Sequence, residues 1–371
     1  MLIGVPREIK NREYRAGLVP ACVRELVARG HRVLVESGAG AGMGADDAAY
    51  QRAGADITPA AAVIWRDAEL VVKVKEPQPG ERALMHAGQT LFTYLHLAPD
   101  LAQARDLIAS GATCIAYETV TGVQQRLPLL TPMSEVAGRM AIQAGAACLE
   151  KSHGGRGVLL AGVPGVAPGR VVILGAGVVG SNAARIAAGI GADVTVLDHH
   201  PEALRALEQV LGNAVKTIAA TQEAIEYHVA GADLVIGAVL VAGAAAPRLI
   251  TRELVARMQP GAVIVDVAID QGGCCETSRP TTHDEPVYLD QGVVHYCVAN
   301  MPGALPRTSA FALGNATLPY VVRLADAGVA AALRADPHLR NGLNVHGGCI
   351  THRAVAGALG MAWTDPLVAL G

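Results

Sequence analysis

Short apolar runs alternate with stretches of helical period along most of the chain. The opening MLIGVP predicts a strand, Leu18 to Arg29 a helix stopped by Gly30, and HRVLVES a second strand. ELVVKVKEP and QTLFTYLHLAP predict two more strands, and a helix over Leu101 to Ser110 leads into a strand in TCIAYET. Strands alternating with helices imply βαβ units around a parallel sheet, and runs apolar on both faces fit strands covered by helices on either side.

The pattern breaks between Leu127 and Pro132. Thr131 before Pro132 predicts a cap and first helical position, with the helix running to about Lys151. HGGRGVLLAGVPGVAPG then reads as a Gly/Pro-rich loop. A second βα series starts at RVVILGAGVVG and continues through ADVTVLD, ADLVIGAV and GAVIVDVAID to VHYCVANMP. A further helix is expected after Pro306, near Thr308. The short tail beyond it reads as helical and is expected to pack back on the first domain. No internal repeat at solenoid spacing is present.

Composition narrows the class. A chain of 371 residues exceeds what one hydrophobic core usually supports, which favours two domains. With 51% hydrophobic and 17% charged residues it is far from a disordered chain. The formal charge of -3 and the lack of any Lys/Arg run argue against nucleic acid. Seven cysteines without paired spacing, and a start that is charged from Arg7 onward, fit a reducing cytoplasm. Adjacent Cys274 and Cys275, with Cys297 further on, read as buried small hydrophobes in preference to metal ligands, which want spaced pairs. The apolar stretch from Leu234 to Pro247 is Gly-broken and too short to span a bilayer, so no membrane partner is expected.

Gly175, Gly177 and Gly180 form GAGVVG directly after the apolar strand Val171 to Leu174 and directly before a helical, Ala-rich pattern. The first glycine permits a tight turn, the second lets backbone approach a pyrophosphate, and the third lets helix pack close on strand; the helix N-terminus adds amide donors and a positive dipole. Asp198 ends the next strand, eighteen residues after Gly180, where it can accept from a ribose diol and repel a 2′-phosphate. Dinucleotide binding is the reading, with Asp198 as a helix cap the plainer alternative. NAD is favoured over NADP, although His199 and His200 follow the acid.

In open parallel sheets ligands bind beyond the carboxyl ends of the strands. Arg15 falls in the loop after the first strand, Lys75 closes VVKVK, and His96 closes LFTYLH. Any one Lys or His at a strand end can simply reach solvent with its polar tip; three at equivalent ends are harder to dismiss. Arg15 and Lys75 suit a small carboxylate, and His96 suits proton transfer near neutral pH. Asp266 reads as a structural loop cap, while Asp270 lies just past a strand end, where a nicotinamide or substrate would meet the sheet.

GVPREIKNREYRAGLVP, VKVKEP, TYLHLAP, LLTPMSEVAGRMA, DLVIGAVLV, VDVAIDQGG, SRPTT and YCVANMP together resemble the L-alanine dehydrogenase family over essentially the whole chain. The resemblance implies an α/β fold of two doubly wound, Rossmann-like domains with a cleft between them. A nucleotide-binding domain of residues 129–306 would be inserted into a catalytic domain of residues 1–128 and 307–371. It further implies NAD-dependent, reversible conversion of L-alanine to pyruvate and ammonia in a homo-hexamer; glyoxylate, smaller than pyruvate, is a further candidate for the same site. Arg15 and Lys75 would bind substrate, and His96 and Asp270 would be the acid/base pair. Cofactor contacts would come from Ser134, Gly175, Gly177, Val178, Gly180, Asp198, Val239, Leu240, Val267, Ala268, Ile269, Asp270, Arg279, Val298, Ala299, Asn300 and Met301. No metal is implied. Two departures bear on cofactor affinity: Ala220, where relatives carry Ser, and Ala203, where some carry a basic residue. The competing readings are the NAD(H)-binding module of a proton-translocating transhydrogenase and a non-catalytic NAD sensor.

Overall fold

The computed structural model describes residues 1–239 and 246–371. The chain divides into two compact units, Met1–Met133 with Leu305–Gly371, and Ser134–Ala304. The first unit contributes strands β1 (Leu2–Val5), β2 (Arg32–Glu36), β3 (Asp56–Thr58), β4 (Leu70–Val72), β5 (Thr90–Thr93) and β6 (Thr113–Ala116). The second contributes β7 (Arg170–Leu174), β8 (Asp193–Asp198), β9 (Lys216–Ala219), β10 (Leu234–Gly237), β11 (Val263–Asp266), β12 (Val287–Asp290) and β13 (Val293–Tyr296). The chain then returns to the first unit and adds β14 (Leu343–His346) and β15 (Cys349–Ile350).

Both sheets are doubly wound. The first runs β15-β14-β6-β5-β4-β1-β2-β3, parallel from β6 to β3, with β14 and β15 antiparallel at one edge. The second runs β12-β13-β11-β10-β7-β8-β9, parallel except for the edge strand β12. Their central strands are buried from end to end, as the uninterrupted apolar runs require. In each unit the winding reverses beside the first strand: β1 lies between β2 and β4, and β7 between β8 and β10. Loops leaving the two strands at such a reversal diverge to opposite faces and open a crevice at their carboxyl ends.

Several boundaries differ from the sequence reading. β4 stops at Val72 and β5 at Thr93, so Lys75 and His96 lie three residues beyond their strands instead of closing them. The first helix is Pro20–Ala28, with Gly30 left-handed at φ 85° just after it. The helix Thr131–Cys148 already includes Thr131, whose hydroxyl donates back to Leu127 O at 3.0 Å and does not cap forward. The tail holds two strands as well as helices, because Leu343 and Val345 pair with β6 and seal an edge that would otherwise stay open. β3, β9 and β12 are short and polar enough to escape a hydrophobic-run search.

Candidate active site

At the reversal of the first sheet, the loop after β1 carries Arg15 and the segment after β4 carries Lys75. Gly17 makes their approach possible: a Cβ there would stand 2.2 Å from Val72 O, so only glycine lets this loop press onto the end of β4. The Arg15 guanidinium is buried and clamped by Glu13, with Nε 2.6 Å from Oε1 and Nη2 2.5 Å from Oε2, while Nη1 faces Met133 Sδ at 3.0 Å. Burial pushes the Glu13 carboxyl up, but Arg15 outweighs it and holds it below its usual range. Lys75 has no hydrogen-bond or ion-pair partner for its ammonium among the described residues. Burial and the nearby charges of Arg15 and Lys10 lower its pKa. Two cations are thus gathered where the sheet opens.

His96 lies after β5, the next strand over. Its backbone is left-handed, φ 47°, a conformation that is rare outside glycine. The Glu118 carboxylate holds this turn by accepting the N–H of His96 at 2.6 Å and of Leu95 at 3.1 Å. The ring stacks on Tyr94, centroids 5.9 Å apart at 28°, and Tyr94 in turn donates its hydroxyl to Leu129 O at 2.5 Å. Nδ1 faces Glu76 Oε2 at 3.4 Å, and the other oxygen of Glu76 pairs with Lys10. Burial would raise the Glu76 carboxyl, yet the contacts from His96 and Lys10 bring it down to about 2. The carboxylate engages Nδ1, and the side chain is about half exposed.

In the second unit the turn between β7 and the helix Val178–Gly189 has the form the glycines imply. Gly175 sits at φ 106°, and a Cβ on Gly180 would fall 1.8 Å from Gly175 O. A Cβ on Gly177 would meet nothing within 4 Å, which leaves an open cradle before a helix N-terminus that no side chain caps. These features fit a pyrophosphate. Asp198, at the end of β8, accepts the N–H of Ala176 at 2.6 Å and of His200 at 2.7 Å, so it ties the glycine turn to its own strand end. Its carboxylate keeps further lone pairs for a ribose diol.

Three further groups of sequence candidates follow strands on the same rim of the second sheet. Val239 follows β10, Val267, Ala268, Ile269 and exposed Asp270 form a 3-10 turn after β11, and Val298, Ala299, Asn300 and Met301 follow β13. Ser134 lies in the first turn of the helix Thr131–Cys148, and Arg279 stacks over the Tyr288 ring at 4.0 Å. Leu240 lies outside the described residues. Asp266 is fully buried and caps the turn, accepting from Ala268 N at 3.1 Å and Cys274 N at 2.9 Å. Cys274, Cys275 and Cys297 are buried, and burial raises all three thiols. Among the described residues no cluster of His, Cys, Asp and Glu could hold a metal ion.

Four acids were not singled out from the sequence: Glu8, Glu13, Glu76 and Glu118. A signal existed for three of them, since Glu8, Glu13 and Glu76 each stand within two residues of a Lys or Arg in the two loops that carry Arg15 and Lys75. Glu118 reaches His96 across 22 residues and left none.

Residues 4–137 match the family model described as alanine dehydrogenase/PNT, N-terminal domain, and residues 141–353 match alanine dehydrogenase/PNT, C-terminal domain. An alanine dehydrogenase of Halomonas elongata is 58% identical over 371 residues, covering 100% of both chains. One from Bacillus subtilis is 55% identical, covering 100% of this chain and 98% of its own. A solved L-alanine dehydrogenase superposes with a TM-score of 0.94 at 53% identity, covering 97% of this chain and 99% of that one. A transhydrogenase from Sinorhizobium meliloti shares the fold, with a TM-score of 0.83 at 24% identity over 95% of this chain and 100% of its own.

Proposed function

This chain belongs to the alanine dehydrogenase/PNT family, and we propose that it interconverts L-alanine with pyruvate and ammonia at the expense of NAD. It is an NAD-dependent amino-acid dehydrogenase. The observation that carries the reading is the pair of cations, Arg15 and Lys75, at the winding reversal of the first sheet, with His96 on the adjoining strand end. Full-length likeness to alanine dehydrogenases favours an enzyme over a docked module or a sensor.

The first unit supplies Arg15, Lys75 and His96, and the second supplies the cofactor site and Asp270. When bound, NAD provides the hydride acceptor. The turn from Gly175 to Gly180 would hold its pyrophosphate and Asp198 its ribose, with Ser134, Val178, Val239, Val267 to Asp270, Arg279 and Val298 to Met301 as further contacts. Arg15, fixed by Glu13, binds the carboxylate of L-alanine. Bound with its amine neutral, L-alanine becomes an iminium on loss of hydride from Cα. His96 accepts a proton from water as that water adds to Cα, giving a carbinolamine. His96 passes that proton to the amine; as the C–N bond breaks and ammonia departs, the hydroxyl gives its proton to His96, and the Lys75 ammonium stabilises the oxygen that becomes the pyruvate carbonyl. Glu76 at Nδ1 keeps Nε2 of His96 aimed at the water, and Asp270 shares the proton traffic.

We assign the enzyme to the cytoplasm, supported by its seven unpaired cysteines, and its assembly to a homo-hexamer, supported by the family resemblance. Among the described residues no single helix is long and apolar enough to cross a membrane. The bent pair Pro306–Ala327 and Val329–Ala335 passes on composition alone and buries residues such as Leu313, Val321, Leu324 and Leu333 in the first unit.

The test is NADH formation, followed by absorbance, from NAD⁺ and L-alanine at alkaline pH, where more of the amine is neutral. D-Alanine, L-serine, L-lactate and NADP⁺ serve as controls. Turnover specific for L-alanine and NAD⁺ is expected. Tight NADH binding with no turnover of any amino acid would replace the enzyme with a binding protein.

A further inference from the structure

Lys73 stands two residues before Lys75, fully buried, and the chemistry above does not use it. An unmatched ammonium at that depth would be strongly destabilising. It is matched by two carboxylates, with Nζ 3.0 Å from Glu8 Oε2 and 2.8 Å from Glu81 Oε1. Burial lowers the Lys73 pKa, but the two glutamates outweigh it and raise it above its ordinary value, while the same burial raises the Glu8 carboxyl.

The glutamates use their second oxygens differently. Glu81 Oε2 accepts the N–H of Gln78 at 2.7 Å and caps its own short helix, Pro79–Arg82. Glu8 Oε1 accepts the N–H of Val74 at 2.6 Å and of Lys75 at 3.3 Å. Glu8 therefore grips the peptide that carries Lys75, beyond the last residue of β4. The other edge of that segment is tied to β5 and its continuation: Lys73 N–H donates to Phe92 O at 3.2 Å, Tyr94 N–H to Val74 O at 3.2 Å, and the Thr93 hydroxyl to Lys75 O at 2.9 Å. The lysine stem has four rotatable carbons, so its ammonium can be placed only if the backbone beneath it is fixed. On one side that fixing comes from the main chain of β5 and its continuation and from the Thr93 hydroxyl; on the other it comes from Glu8, whose orientation Lys73 sets.

We propose that Lys73 and Glu8 form a positioning pair for the reaction, in which buried Lys73 orients Glu8 and Glu8 holds the Val74–Lys75 peptide so that the Lys75 ammonium meets the 2-oxo acid. The inference rests on the assignment of Lys75 to substrate and adds residues that touch neither substrate nor cofactor.

Glu8→Gln, Glu8→Asp and Glu81→Gln separate positioning from plain stability. Glu8→Gln and Glu81→Gln each remove one charge facing Lys73, so both lower the thermal midpoint. Glu8→Asp keeps the charge and loses only the reach to the two amides, which guards against a poorly folding Glu8→Gln. Each protein is assayed in the reductive direction, below its own midpoint. Both Glu8 variants are expected to raise the pyruvate KM on the order of tenfold with the NADH KM unmoved, since small misplacements of a binding group cost rate steeply. Glu81→Gln is expected to leave the pyruvate KM at its wild-type value. A wild-type pyruvate KM in both Glu8 variants, or an equal rise in Glu8→Gln and Glu81→Gln, overturns the proposal. A wild type that does not aminate pyruvate, or a Lys75→Met variant with unchanged pyruvate KM, instead defeats the underlying assignment, and the proposal falls with it.

Discussion

His96 and Lys75 are each held in a state that an isolated residue would not prefer. The left-handed backbone of His96 costs on the order of 1–3 kcal/mol, and it persists because Glu118 ties two successive amides. If the ring is the proton carrier, His96→Ala should cut turnover on the order of a hundredfold or more, with NADH affinity unchanged; a steady-state assay with fluorescence titration of NADH decides it, and full turnover would remove His96 from the mechanism. Lys75 is a base with a lowered pKa, so as pH rises it gives up its proton earlier than an ordinary lysine, which titrates at about 10.4. The pyruvate KM should accordingly climb on the alkaline side starting below that value. Lys75→Arg, which keeps its charge, should show a higher but pH-independent KM over the same range. Arg15, Lys75 and His96 were legible as polar residues at the ends of apolar runs. Of the acids that hold them, Glu13 stands two residues from Arg15, whereas Glu118 reaches His96 across 22 residues and Glu8 reaches the Lys75 amide across 67, separations that leave no local periodicity.

The turn between β7 and its helix was the most legible element, since each glycine has its own steric task. Gly180 and Gly177 make that separable. A Cβ on Gly180 would overlap the Gly175 carbonyl, so Gly180→Ala should destabilise the second unit and abolish NADH binding together. Gly177→Ala meets no protein atom within 4 Å at an ordinary φ of -68°, so its thermal midpoint should stay at the wild-type value. A loss of NADH affinity in that stable variant would report the approach of a pyrophosphate to the backbone. Unchanged affinity would place the phosphates elsewhere. The tail was less legible: β14 and β15 together span six residues, and they gain strand character only from pairing, β14 with β6 and β15 with β14.

At the scale of the molecule, each unit has its own apolar core, one built around Leu91, Leu107, Cys114 and Val345, the other around Val172, Val235, Leu254 and Ile264. If the second unit alone binds the cofactor, NADH at 100 times its dissociation constant should stabilise that unit by about 2.7 kcal/mol and leave the intrinsic stability of the first unchanged. Calorimetry with and without NADH reads this as an upward shift of one transition; no shift would remove the second unit as the cofactor site.

What the amino-acid order determined by itself was everything carried by short spacing: two βα series, the glycine turn with its acid after the next strand, and polar residues just beyond apolar runs. These depend on period and on local steric limits, which a chain displays along its length. Only the tertiary structure decided the rest. The order of strands puts β1 beside β4, brings Arg15 to Lys75 across some sixty residues of chain, and buries Lys73 against Glu8 and Glu81. Burial turns such charges from costs into fixed geometry, and burial belongs to the packed sheet, not to any one segment of the chain.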